Sequence, residues 1–202
     1  MDLRITPDQQ SLSAAIENLV AGLREKPIEF RGFVLASVGL EQQLTAAGFF
    51  EIATTPGLGP VAAVLAVERL ARLPCTAEVA LSMLVRPQLP GREWPRPLAW
   101  LERGRPGRFV ASAKTLLIAD ADRLGIALVS PGDVEPVESI FAYPLGRSTR
   151  ALVSAALSAS EAAEVRKWLR VAIAAEAAGL IQAALDSTVE HLGARKQFGR
   201  PL

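Results

Sequence analysis

The closing residues of the chain combine side chains that could bind a phosphate group beside a flat ring. Arg195, Lys196 and Gln197 supply hydrogen-bond donors, and Phe198 supplies an aromatic face. Guanidinium groups bind phosphate through paired donors and also stack on flat rings. The same residues also suit a helix C-terminus, where cations complement the helix dipole and a glycine ends the helix. On physical grounds alone the second interpretation is favoured.

A second candidate is the segment PGLGPVA, in which Gly57, Gly59 and Ala62 have the spacing of a dinucleotide-binding turn. That turn needs a strand before it, a second strand after its helix, and backbone amides directed at a pyrophosphate. The residues that follow have a helical pattern instead, and Pro60 removes one of the amides. We therefore interpret this segment as a turn between helices.

The other residues whose side chains could take part in catalysis or metal binding form no recognisable site. Asp120 and Asp122 lack a third ligand and fit an ordinary turn, so we predict no metal site. His191 is the only histidine, and no nucleophile stands at a suggestive spacing from it, so we assign it a surface or packing role. The sequence contains no nucleophile elbow, phosphate-binding loop or zinc-ligand spacing.

The composition indicates a protein that can bury a large core of small residues. Half of the 202 residues are hydrophobic and only 5% are aromatic. A net charge of +1 argues against a nucleic-acid partner, and the single cysteine, Cys75, fits a reducing cytoplasm. The most apolar stretch, 171–192, is interrupted by three acidic residues, so we predict a buried helix and no membrane span. We therefore expect a cytoplasmic protein.

The elements that must position these residues fall into three segments, which we predict to be separate domains. Residues 1–85 have helical patterns, and Thr6 with Gln9 forms a capping box at the start of the first helix. Further helices are predicted at 40–47, 60–73 and 77–84. Residues 86–156 contain short apolar runs bounded by Pro, Gly and Asp, which predicts a small antiparallel sheet or barrel.

Residues 157–202 are predicted to form one long helix. Ser158 and Glu161 make a second capping box, and a helical pattern then continues to Ala194, about 50 Å at 1.5 Å per residue. Its alanine-rich middle lets other helices approach closely, and the small β segment cannot cover so long a helix. The fold class predicted from these patterns is an α+β multidomain chain, with a helical domain, a β domain and a long helix in that order.

The segment AIAAEAAGLIQAALDSTVEHLGARKQFGRPL closely resembles the acyl-CoA dehydrogenase signature, in which a long helix is followed by an RxxFG turn. A weaker likeness covers LTAAGFFEIATTPGLGPVAAVLAVERLARL, and the order of helical, β and helical segments also agrees. The resemblance implies an FAD-dependent enzyme that removes two hydrogens from the α and β carbons of an acyl-CoA thioester. It also implies that 157–202 is the first helix of a C-terminal bundle, which we expect to continue beyond Leu202.

The same resemblance assigns roles to particular residues. In the family, the RxxFG turn reaches the FAD of a neighbouring subunit. Arg195 would therefore meet the pyrophosphate, and Gln197 and Phe198 would lie beside the adenosine half, with Leu202 nearby. Arg170 corresponds to a helix arginine near the catalytic cavity, and Gly179 corresponds to a glycine at which helices pack closely. These assignments are implied by the resemblance and not by spacing.

The catalytic carboxylate of the family is missing from this sequence. The usual glutamate belongs to a later segment, and the alternative position immediately before the helix arginine is Leu169. No catalytic residue can be assigned.

The flavin-binding motifs also depart from the family. The TEPxxGSD motif aligns with VRPQLPG, which places Val85 and Arg86 at the Thr and Glu positions. The KxWIT motif aligns with KTLLI, which keeps Lys114 but places Leu116 and Ile118 at the Trp and Thr positions. Each lost hydrogen bond to the flavin ring would cost about 1 kcal/mol, so we expect the chain to bind its own flavin weakly.

These features together predict one subunit of a heteromeric acyl-CoA dehydrogenase, in which two unlike chains share a flavin site. Relatives of this kind act on bulky substrates that include steroid side-chain CoA esters, and the family's usual electron acceptor is electron-transfer flavoprotein. An ordinary homo-oligomeric enzyme remains an open interpretation. So does a non-catalytic subunit that stabilises or regulates a true dehydrogenase.

Overall fold

A computed structural model describes residues 5–24, 35–139, 143–197 and 200–201. The four α-helices are α1 (Pro7–Arg24), α2 (Val38–Ala46), α3 (Gly59–Leu70) and α4 (Ala159–Ala194). Three 3₁₀ turns occupy Phe49–Thr54, Arg86–Gln88 and Val110–Ser112, and a π-helical turn occupies Leu81–Val85. The strands are β1 (Leu98–Glu102), β2 (Gly107–Arg108), β3 (Thr115–Asp120), β4 (Arg123–Leu128), β5 (Val134–Val137), β6 (Leu145–Ser148), β7 (Ala155–Ala156), β8 (Lys196–Gln197) and β9 (Arg200–Pro201).

Side-chain caps fix the starts of the first two helices. The Thr6 N–H donates to Gln9 Oε1 at 3.1 Å, and the Gln9 N–H donates to Thr6 Oγ1 at 3.3 Å, so the predicted capping box is confirmed. Helix α2 begins two residues earlier than predicted, because Ser37 Oγ accepts the Leu40 N–H at 3.2 Å.

The helix predicted at 77–84 is a single π-helical turn at Leu81–Val85, followed directly by the 3₁₀ turn at Arg86–Gln88. The carboxylate of Glu78 accepts the N–H groups of Leu81 and Ser82, which fixes where the helical turn begins. Pro87 has no N–H to donate, and its ring would clash with the backbone carbonyl of a preceding α-helical turn, so an α-helix cannot continue past this residue. The segment is therefore too short for a regular α-helix.

The β segment contains a mixed sheet and not the wholly antiparallel one that the sequence predicted. The first sheet has the order β1-β3-β4-β7, and β1 runs parallel to β3. The chain leaves β1, passes through β2 in the second sheet and the turn at Val110–Ser112, and so returns to β3 in the same direction. The second sheet, β2-β6-β5, is antiparallel.

Strand β3 separates two hydrophobic cores. Leu117 faces the helices and packs in the larger core with residues of α1, α2, α3 and α4. Leu116 and Ile118 point to the other side and pack in a smaller core between the two sheets, with Leu101 and Val110. This alternation follows from the two-residue period of a strand with both faces buried.

Helix α4 begins at the predicted capping box, in which the Ser158 N–H donates to Glu161 Oε2 at 2.8 Å and Ser158 Oγ accepts the Glu161 N–H. It ends at Ala194. Its inward side consists of small residues, among them Ala172, Ala175 and Gly179.

The prediction that residues 171–192 form a buried helix is wrong for the part of the chain that the structure describes. The rest of that part covers only one side of α4, and large apolar side chains on the helix are exposed: Ile173, Leu180, Ile181, Leu185, Val189 and Leu192. By length and composition alone α4 could cross a membrane, and 17% of its most apolar window is buried. One such helix is weak evidence for membrane insertion, and the absence of a span stays a prediction.

Candidate functional site

The closing turn of the chain is a short hairpin that follows α4. The Arg195 N–H donates to the His191 carbonyl at 3.0 Å and ends the helix. Strands β8 and β9 then pair, with Gln197 opposite Arg200. The Arg195 side chain is exposed and forms no ion pair with any described residue. Its guanidinium is therefore available to an anion, whereas Phe198, Leu202 and the side chain of Gln197 lie outside the described residues.

Arg170 lies far from the closing turn on the same helix. Its side chain is exposed and has no ion-pair partner in the described part of the chain. Arg195 stands 25 positions further along α4, which corresponds to about 37 Å at 1.5 Å per residue. One chain therefore does not bring these two arginines into one site. Leu169, at the alternative position for a catalytic base, is partly buried against the helical core.

The positions predicted as a flavin wall do not fit an isoalloxazine ring. Val85 and Leu116 are fully buried and Ile118 is 6% exposed. Val85 packs in the helical core, while Leu116 and Ile118 pack in the core between the sheets, so the structure separates the two motifs. None of the three side chains carries a hydrogen-bond donor. Lys114 is exposed at the start of the same run.

Arg86, at the glutamate position of the aligned motif, has a structural role. Its Nη2 donates to the Phe50 carbonyl at 3.2 Å and to Glu51, and its Nη1 donates to Glu93 Oε1 at 3.1 Å. The side chain is 8% exposed. Because its charge is matched by two carboxylates and its donors are directed at protein atoms, Arg86 ties the π-helical turn to the segment before α3.

Glu78 is a buried carboxylate that the sequence reasoning missed. Its Oε1 accepts the N–H groups of Leu81 and Ser82 at 2.9 and 3.2 Å. Its Oε2 accepts the Ser82 hydroxyl and the Leu98 N–H, the latter at 3.3 Å. Burial raises its pKa from 4.5 to about 7, although these hydrogen bonds lower it. The only sequence signal was one acid in the apolar run TAEVALSML. Because both oxygens are occupied by backbone and hydroxyl donors, Glu78 joins the helical turn to β1 and is not a free base.

An ion pair positions α4 on the β segment. Both terminal nitrogens of Arg108 on β2 lie 3.3 Å from the Glu176 carboxylate. The ring of Tyr143 lies 4.6 Å from the Arg108 guanidinium. These residues line a cavity of about 100 Å³ beside Cys75. Glu176, which interrupts the apolar stretch in the sequence, therefore makes a polar contact between two layers.

The weaker sequence candidates form no site. Gly57 has a φ of 86° and lies in the turn before α3, and Gly59 has a φ of 72° and is the first residue of α3; no strand precedes this turn in the described chain. Asp120 forms an ion pair with Arg103, and the Asp122 carbonyl accepts a hydrogen bond from Arg166. Among the described residues no group of three potential ligands could hold a metal ion.

The comparisons with known proteins point to one family. Residues 148–202 match the family model "Acyl-CoA dehydrogenase, C-terminal domain". No curated protein matches the chain. Similar solved structures include the Tcur3481-Tcur3483 steroid ACAD, with 20% identity, coverage of 96% of this chain and 69% of that one, and a TM-score of 0.67. They also include the ChsE4-ChsE5 complex from Mycobacterium tuberculosis, with 19% identity, coverage of 100% and 71%, and a TM-score of 0.67. Butyryl-CoA dehydrogenase from Megasphaera elsdenii has 17% identity, coverage of 100% and 73%, and a TM-score of 0.68. The fold of the chain is that of these enzymes, and the resemblance predicted from the sequence is confirmed.

Proposed function

We propose that this chain, which has the acyl-CoA dehydrogenase fold, is one subunit of a heteromeric FAD-dependent acyl-CoA dehydrogenase. The observation that carries the proposal is a contrast within the chain. The Arg195 guanidinium is exposed and unpaired among the described residues, whereas the positions of a flavin wall are filled with buried apolar side chains. The chain would therefore contribute to a flavin that an unlike subunit holds.

Arg195 is suited to this role by its chemistry and its position. A guanidinium keeps its charge at any physiological pH and offers five N–H donors to phosphate oxygens. At the end of α4 it stands about 37 Å from Arg170, which points toward two separate sites on one helix. Arg195, together with Gln197 and Phe198, would hold the pyrophosphate and adenosine half of the neighbour's FAD. Arg170 would lie near a substrate cavity.

The proposed reaction is the α,β-dehydrogenation of an acyl-CoA thioester. FAD, when bound, supplies the acceptor for the hydride. We propose that the unlike subunit supplies the carboxylate that takes the α proton; Leu169 occupies the alternative position of that carboxylate in this chain. Two of the similar structures are two-chain assemblies, one of them described as a steroid ACAD, which supports a bulky acyl-CoA as substrate. Electron-transfer flavoprotein as acceptor and a cytoplasmic location complete the proposal.

The exposed face of α4 can pack against further helices, either of a continuing bundle or of another chain. Ile181, Leu185 and Val189 recur at helical spacing and are between 54% and 67% exposed. Contiguous apolar surface of this kind is typical of protein interfaces. This face continues directly into the closing turn that carries Arg195. A partner seated on α4 would therefore also reach the guanidinium.

The test is the flavin content of the chain alone and with an unlike acyl-CoA dehydrogenase chain. We expect the chain purified alone to retain no flavin absorbance, and the complex to hold about one FAD for each pair of chains. Replacing Arg195 by glutamine should weaken FAD binding at least tenfold, since a hydrogen bond to a charged group contributes about 1.5–3 kcal/mol. Lys167→Gln is the control, because Lys167 is an exposed cation on α4 that pairs only with Glu164 among the described residues.

The results separate the alternatives. One FAD for each chain in the isolated protein would overturn the proposal in favour of an ordinary homo-oligomeric enzyme. A complex whose FAD affinity and turnover are unchanged by Arg195→Gln would instead indicate a non-catalytic subunit that stabilises a true dehydrogenase. The buried apolar side chains at the positions of a flavin wall favour a non-catalytic subunit over an ordinary homo-oligomeric enzyme.

A further inference from the structure

A cavity of about 370 Å³ lies in the β segment, and neither Arg170 nor Arg195 lines it. Described residues of β1, of the turn after it, of β3 and of the segment 147–152 line it, and no described residue of an α-helix does. Its apolar part is formed by Leu101, Ile118 and Leu152, of which the first two are buried members of the core between the sheets. The cavity thus offers an apolar surface to a flat or aliphatic group.

The polar part of this cavity consists mainly of arginine side chains. Among the described residues four arginines line it and no acidic residue does, and the arginine side chains are 55–76% exposed: Arg103, Arg105, Arg147 and Arg150. Each of these arginines pairs with a carboxylate outside the lining: Asp120, Glu102, Glu135 and Asp133 respectively. Several guanidinium groups around one space attract a ligand with more than one negative charge.

The carboxylates that pair with these arginines leave most of their donors free. Arg103 uses Nε toward Asp120 at 2.9 Å, and Arg147 uses Nε toward Glu135 at 2.6 Å. Each guanidinium has five N–H donors, so the two terminal nitrogens of both side chains have no partner among the described residues. Exposed ion pairs of this kind contribute at most about 1 kcal/mol. A phosphate could therefore recruit these nitrogens without breaking the existing pairs.

The loop that carries two of the arginines is held in place by hydrogen bonds. The Thr149 N–H donates to the Asp133 carbonyl at 2.9 Å, and the Thr149 hydroxyl donates to the Gly132 carbonyl at 2.6 Å. Arg150 Nε donates to Asp133 Oδ1 at 2.7 Å. The Ser130 N–H and Arg150 keep the pKa of Asp133 below its usual value, so this anchor stays charged. The site is therefore formed before a ligand binds.

We propose that this cavity binds a small molecule that carries two or more phosphate charges on a planar body, as ADP does. The arginines would bind the phosphate oxygens through paired N–H donors, which suit phosphate geometry. The planar group would lie against Leu152, the partly buried member of the three apolar side chains that line the cavity. The volume is in the range of ligand pockets for molecules of this size.

The test is titration calorimetry of the full chain with ADP, pyrophosphate and adenosine. We expect ADP to bind, pyrophosphate to bind at least tenfold more weakly, and adenosine not to bind. The double variant Arg103→Gln/Arg147→Gln should weaken ADP binding at least tenfold, and the affinity of the native chain should fall as salt rises. Arg123→Gln is the matched control, since Arg123 is exposed on β4, forms no ion pair among the described residues and does not line the cavity.

The competing results are distinguishable. No heat with ADP, equal ADP affinity in the double variant, or equal affinity for ADP and pyrophosphate would overturn the proposal. Displacement of ADP by coenzyme A would support it and identify the nucleotide end of a larger cofactor as ligand. ADP binding without such displacement would support it with a free nucleotide as ligand. Because the cavity excludes Arg195, failure of this site would leave the flavin proposal unaffected.

Discussion

Replacing Gly179 by alanine is expected to lower the free energy of unfolding by about 2 kcal/mol. At this position α4 crosses α3 so closely that a Cβ would lie well under 3.0 Å from the Glu68 carbonyl oxygen, and also under 3.0 Å from Ala71 Cβ. A backbone oxygen cannot turn aside as a flexible side chain can, so the two helices must separate. Overpacking of this kind costs about 1–3 kcal/mol, partly offset by the higher helix propensity of alanine.

The matched control is Gly193→Ala on the same helix. Nothing lies within 4 Å of a Cβ at Gly193, so alanine there should be neutral or stabilise by up to about 1 kcal/mol. Thermal unfolding followed by circular dichroism should show a Tm lower by about 4–8 °C for Gly179→Ala and none of this loss for Gly193→Ala. Equal Tm values for the two variants would show that α3 and α4 do not pack closely at Gly179.

The second large effect concerns the buried carboxyl of Glu78. Its pKa is about 7 in the folded chain, against 4.5 for an exposed glutamate, because burial disfavours the charged form. Between these values the folded state binds more protons than the unfolded state, so the free energy of unfolding falls as pH rises. One pKa unit corresponds to about 1.4 kcal/mol, so the change from pH 4.5 to above pH 7 is about 3 kcal/mol. The stabilising contribution is complete below pH 4.5 and is lost above pH 7.

Glu78→Gln should remove this pH dependence, because an amide mimics the protonated acid and does not titrate. We expect urea denaturation of the native chain to give a free energy of unfolding that falls by about 3 kcal/mol between pH 5 and pH 8, and a nearly flat profile for the variant. Glu138→Gln, which changes an exposed carboxylate, should keep the native slope. The same dependence of unfolding free energy on pH in the native chain and in Glu78→Gln would contradict a raised pKa for Glu78.

Local signals in the sequence predicted the helix starts well. The caps at Thr6 and Ser158 were visible because a capping box depends on residues three positions apart. The parallel pairing of β1 with β3 was not visible, since it depends on where the chain crosses between sheets. The short apolar runs look the same in either orientation.

The candidate site also combines features that the sequence predicted with features that only the structure showed. The closing turn was identified by its similarity to a family signature, and the structure adds that Arg195 is exposed and unpaired among the described residues. The roles of Arg86 and Glu78 were missed, because their partners lie up to 36 positions away in the chain. The cavity lined by arginines was also missed, since its four arginines come from two separate segments.

The sequence by itself determined the order of helical and β segments, the caps and extent of α4, and the likeness to acyl-CoA dehydrogenases. These properties depend on periodicity and on contiguous motifs, which short-range sequence carries. Only the tertiary structure decided that Val85 and Ile118 lie in different cores, that one face of α4 is uncovered in the described chain, and that arginines surround a cavity. These properties depend on which distant segments of the chain come into contact, and those contacts set the burial and the charged neighbours of each residue.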